Sequence, residues 1–70
     1  MTADKITRLR LRVQREKGMK GRQAQLYLAG LLAVSRTTWY RWEVGVHKMN
    51  PSYWELLMIK LGDTHEQTGQ

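Results

Sequence analysis

The chain has no cysteine, one proline, two histidines and no long apolar run. Without cysteine, neither a disulfide nor a thiolate zinc site can brace a small core. His47 and His65 are too few and too isolated to suggest a metal centre, so no metal and no cofactor is expected. The longest apolar stretches, such as Leu56 to Ile59, fall far short of the roughly 20 residues that cross a bilayer. The polar, charged start shows no secretory signal, so the cytoplasm is the expected location and no membrane partner is expected. Nothing pairs a nucleophile with a base, and so short a chain leaves little room for a pocket, which argues against an enzyme.

What is present is basic charge. Lys and Arg number 12 against 6 for Asp and Glu, a net charge of +6 with a pI near 10.2. That is the electrostatic footprint of a domain that sits on phosphates, although charge alone is not specific. An apolar fraction of 41% suits a globular domain. Seventy residues allow one domain that buries only about 60% of its unfolded surface. Such a core must hold by helix packing, helped by a second copy of the chain.

The pattern predicts four helices, or five. After a loose end at Met1 and Thr2, Ile6, Leu9 and Val13 recur at helical spacing from Ala3 to Lys17, with Asp4 in the opening turn. The same stretch also alternates, Thr7, Leu9, Leu11 and Val13 against Arg8, Arg10 and Arg12, which is a strand period. Helix is preferred, because the flanking residues are good helix formers and no partner strand is in view. Gly18 to Gly21 predicts a turn. A second helix follows over Arg22 to Leu32, with Leu26, Leu28, Ala29 and Leu32 facing inward. Ser35 caps a third, Arg36 to Val44, which stops at Gly45. Val46 to Met49 reads as a connector, and Asn50-Pro51 opens a fourth helix that runs to Leu61 and is closed by Gly62. The domain is thus 1–62, and the polar tail 63–70 is expected to be frayed.

From Leu28 the sequence runs Leu28-Ala29, three residues, Ala33-Val34-Ser35, two residues, Thr38-Trp39, two residues, Trp42-Glu43, one residue, Gly45. This resembles the Cro/repressor-type helix-turn-helix family, over about 21 residues from Gln25 and without a gap. Pro51 and the helix after it fall where that family places its fourth helix. The resemblance implies an all-α, lambda-repressor-like fold and a bacterial or phage regulator, read as a repressor of its own operon, whose third helix enters the major groove of double-stranded DNA. Ala29 lets the second and third helices cross closely, and Val34 fills the angle between them. Trp39 and Trp42 turn one face of the third helix into the core, leaving Arg36, Thr37, Tyr40, Arg41 and Val44 outside. Arg36, Thr37 and Arg41 are then the candidate base readers, since an arginine can grip guanine O6 and N7 at once, for roughly 1–3 kcal/mol of discrimination. Gln25, Ser35, Tyr40 and Lys48 suit phosphates, with Arg22 added if the second helix starts early. The family also implies that Glu43 pairs with an arginine of the first helix, and Arg10 lies on the right stripe.

Four departures from the family pattern stand out. Ala33 replaces a turn glycine, at a cost on the order of 1 kcal/mol. Val44 replaces a residue that is often polar and phosphate-bound. Trp39 is larger than the usual aliphatic residue, and the approach from Gly18 to Leu28 is about a turn longer than common. The fourth helix carries more apolar residues than one stripe uses. Trp54, Leu57, Met58 and Leu61 make the buried face, and Tyr53, Leu56 and Ile59 a second face that would serve a two-fold homodimer on a palindromic operator. Three rival readings remain: a ribbon-helix-helix DNA binder using Arg8 to Val13 as a strand, a transposase- or excisionase-type helix-turn-helix, and a protein-binding module (an antitoxin or small phage-encoded inhibitor) using helix 51–61.

Overall fold

Three of the four helices begin at a residue whose side chain accepts from an orphan amide, and three of the four end at a left-handed glycine. The computed structural model describes residues 2–62 and contains α1 (Ala3–Lys17), α2 (Gly21–Leu31), α3 (Arg36–Val44) and α4 (Pro51–Leu61). Thr2 is no loose end, because its hydroxyl accepts from the Lys5 amide at 3.2 Å. At α2, Gln23 reaches back to accept from the Lys20 amide at 3.0 Å. Ser35 accepts from the Thr38 amide at 3.1 Å and Asn50 from the Ser52 amide at 2.8 Å. Each cap of this kind is worth about 1 kcal/mol.

The expected bounds of α1, α3 and α4 hold to the residue, whereas α2 runs one residue earlier than expected at both ends. A fifth helix and a strand are both absent among the described residues. The alternation from Thr7 to Val13 lies inside α1, where Ile6, Leu9 and Val13 form the buried stripe, so the ribbon-helix-helix reading is overturned. The tail 63–70 lies outside the described residues.

The core gathers one face from each helix. Ile6, Leu9 and Val13 of α1 meet Ala24, Leu28 and Ala29 of α2, Trp39 and Trp42 of α3, and Leu57 of α4. Leu26 corrects the expectation for α2. It is 53% exposed, since the inward stripe runs Ala24, Gln25, Leu28, Ala29, Leu32, and Leu26 lies off that face. Met49, in the expected connector, is buried instead. Among the described residues, no helix is long and apolar enough to cross a membrane.

Candidate nucleic-acid interface

The join between α2 and α3 is a tight turn in which Ala33 takes the left-handed conformation, φ +57°. The Val34 amide donates back to the Ala29 carbonyl at 3.0 Å, closing α2 so that the chain can turn at once into the Ser35 cap. The position where the sequence lacks glycine is therefore the strained one, with alanine bearing the cost. Val34 packs, half-buried, against the core beside the turn.

α3 is held from beneath by its two tryptophans. Trp39 is fully buried and Trp42 nearly so, with ring centroids 5.9 Å apart in an edge-to-face arrangement. Tyr53 of α4 lies against Trp42 with ring centroids 5.3 Å apart and the planes tilted by 44°. The opposite arc of α3 faces out: Thr37, Tyr40, Arg41 and Val44 are exposed and Arg36 half so. Arg36, Thr37 and Arg41 thus share one outward surface, and Tyr40 lies between them around the helix. Arg22 and Ser35 are also exposed. Lys48 is exposed but lies past the far end of α3 from Arg36, in the segment leading to α4.

Gln25 is placed differently from a simple surface phosphate contact. It is buried, and its side chain joins the core of the interface to its surface. The Gln25 Nε2 donates to Glu43 Oε2 at 3.2 Å, and the Gln25 Oε1 accepts from Arg36 Nη1 at 3.2 Å. A carboxylate can only accept, so the amide nitrogen must face Glu43 and the amide oxygen must face Arg36.

Behind Gln25 lies the ion pair the family resemblance implied. Arg10 grips Glu43 in a fork, Nη2 to Oε1 at 2.8 Å and Nε to Oε2 at 3.0 Å. The side chains are 18% and 6% exposed respectively. Three further donors converge on the same carboxylate: the Trp39 indole N–H, the Gln25 amide and the Thr7 hydroxyl at 3.3 Å. Gln14 accepts from Arg10 Nη1 at 2.7 Å and fixes the back of the guanidinium. Burial pushes the Glu43 carboxyl up, but the hydrogen bonds from Arg10, Gln25 and Trp39, with the charge of Arg10, outweigh it and hold it below the usual carboxylate range. The Glu43 hydrogen bond raises Arg10 in turn, against its own burial. The family resemblance implied the pairing of Glu43, and the stripe of α1 pointed to Arg10. It did not signal that Trp39, chosen for its bulk, would also supply a polar donor.

No group of three or more His, Cys, Asp or Glu side chains that could hold a metal occurs among the described residues. Comparison of the chain with protein-family models, with curated proteins and with solved structures returns no match.

Proposed function

We propose that this protein is a sequence-specific double-stranded DNA-binding regulator of the lambda-repressor-like, Cro type, reading the major groove with α3. One observation carries the reading. Arg36, Thr37, Tyr40 and Arg41 face outward together on one arc of α3, above two buried tryptophans and directly after a tight turn, and these are the fixed points of the helix-turn-helix spacing. A nine-residue helix with arginines at positions one and six suits the groove, because a helix fits its width and the early residues reach base edges. Arg36 and Arg41 each take a guanine edge, and Thr37 takes a base edge or a thymine methyl. Ser35, Tyr40, Arg22 and Lys48 contact phosphates. Gln25 is spent mainly on orienting Arg36, with one amide hydrogen left for the backbone.

Tyr53, Leu56 and Ile59 remain partly exposed on α4 and supply the homodimer surface that pairs two readers on an inverted repeat. A repressor acting in a bacterial cytoplasm, of phage or host origin, is the regulatory role that the family resemblance implies. The competing reading, a protein-binding module built on α4, uses the same exposed apolar residues.

The test is selection of bound duplexes from a random pool, followed by anisotropy titrations. Affinity should fall steeply between about 50 and 200 mM salt, as counterion release requires. Arg41→Ala should relax preference at particular base pairs, whereas Lys48→Ala should weaken all duplexes alike and lower the salt slope by about one. A chain that enriches no sequence and binds duplex DNA without salt dependence is not a DNA reader.

A further inference from the structure

We infer that Lys60 of α4 is a positioning residue for the reader, its ammonium closing the open end of α2 and so fixing the turn that aims α3. The positioning role rests on the DNA-reading function proposed above for α3, whereas the closure is a property of the fold alone.

Of the four helices, α2 ends with the least help from its own sequence. α1, α3 and α4 each stop at a left-handed glycine, whereas the left-handed residue after α2 is Ala33. α1 and α3 carry a basic residue in the last turn, where a cation offsets the partial negative charge of the orphan carbonyls, and α2 carries none. The closing bonds of α2 run from the Ala33 amide to the Gly30 carbonyl at 3.2 Å and from the Val34 amide to the Ala29 carbonyl at 3.0 Å. The Leu31 carbonyl lies outside both of them, at the point where the chain leaves the helix.

Lys60 supplies both the donor and the charge. Its Nζ donates to the Leu31 carbonyl at 2.8 Å, across 29 residues of sequence. No local pattern marks this role, because Lys60 stands in the last turn of α4 and reads there as an ordinary surface cation. Tyr53 lies seven residues earlier, two turns back along the same line of α4, and its ring is the one against Trp42. One line of α4 therefore touches both halves of the helix-turn-helix, Tyr53 behind α3 and Lys60 at the end of α2. Between those two points lies the strained turn at Ala33, and a brace across it limits how far α3 can swing against α2. The brace leaves Ile59 and the exposed parts of Tyr53 and Leu56 to the proposed homodimer surface.

Lys60 is exposed, so replacing it leaves the core intact. Amide hydrogen exchange on the full chain, without DNA, tests the closure. In Lys60→Met, protection of the Ala33 and Val34 amides should fall roughly two- to fivefold, as expected for loss of a cation at a helix C-terminus, with the amides of α1 unchanged. Lys60→Arg keeps a cationic donor and should restore the protection. Unchanged protection at the turn, or an equal loss in α1, would overturn the inference. Anisotropy titrations then test the consequence for the reader. Lys60→Met should weaken the selected duplex more than a random one at an unchanged salt slope, because base contacts need α3 aimed whereas phosphate contacts carry no sequence information. Wild-type affinity for the selected duplex would refute the positioning role. So would equal weakening of both duplexes with the salt slope lower by about one, which marks a phosphate contact. A wild-type chain that enriches no duplex fails the DNA reading, and the exchange experiment still decides the closure.

Discussion

Glu43→Ala is the sharpest test of how this small domain holds together. The carboxylate is 6% exposed and receives donors from α1, α2 and α3. Removing it leaves the Arg10 guanidinium, 18% exposed, without its counter-charge, and strips the acceptor from Gln25 and Trp39. Breaking one side of a buried ion pair costs about 3–5 kcal/mol. A 70-residue domain has about 3–10 kcal/mol in total. The variant should therefore lie close to its unfolding midpoint without denaturant. Urea titration followed by circular dichroism measures the loss. Replacing both charges, Arg10→Met with Glu43→Leu, should recover most of it, because the penalty comes from the stranded charge rather than from the absent pair. A single-variant loss under about 1 kcal/mol, in the range of an exposed pair, would refute the reasoning. So would a double variant less stable than Glu43→Ala.

The remaining predictions concern acid, the strained turn and α4. Because the folded Glu43 carboxyl lies below its ordinary value, its contribution is present at neutral pH and is lost as pH falls through the acid range. Glu43→Gln should flatten the acid limb of stability in urea titrations at stepped pH, and an unchanged limb would contradict the cause assigned. Ala33→Gly, at φ +57°, should stabilise by about 0.5–1 kcal/mol in thermal melts, relief of the left-handed strain exceeding the added backbone freedom. Leu57→Ala, at a fully buried site, should cost about 2–5 kcal/mol. Ile59→Glu, at a site 61% exposed, should leave the fold intact and shift sedimentation from dimer to monomer. A wild-type chain that sediments as a monomer would remove the proposed homodimer face.

The helical skeleton was legible because its punctuation is local. Ser35, Gly45, Asn50-Pro51 and Gly62 act on their own turn of chain, and α3 and α4 start and stop where those residues dictate. Position within α2 was harder to read. Leu26 looks like a core residue by composition, but its place off the Ala24–Leu28–Leu32 stripe leaves it outside, and Ala24 and the polar Gln25 go in instead. Met49 was missed because its burial depends on how the segment before α4 packs into the core cluster, which no local pattern encodes. For the candidate interface, the spacing located the outward arc, and the family resemblance together with the stripe of α1 pointed to the Arg10–Glu43 pair. Of the extra donors on Glu43, Trp39 stands one turn away on α3, but Thr7 and Gln25 are far off in sequence and reach the carboxylate only once three helices have packed.

Under the proposed DNA-reading function, the orientation forced on Gln25 limits how this protein can acquire a new target. Its amide oxygen faces position 36 because its nitrogen is committed to Glu43. A residue there must offer a donor or leave that oxygen short of a partner. An acidic side chain would meet both the oxygen and the field of a buried carboxylate. Positions 37 and 41 carry no such obligation. Drift in specificity should therefore run through Thr37 and Arg41, with position 36 held to arginine, lysine or an amide. A library randomised at all three positions and sorted only for folding would recover that bias with no DNA in the experiment.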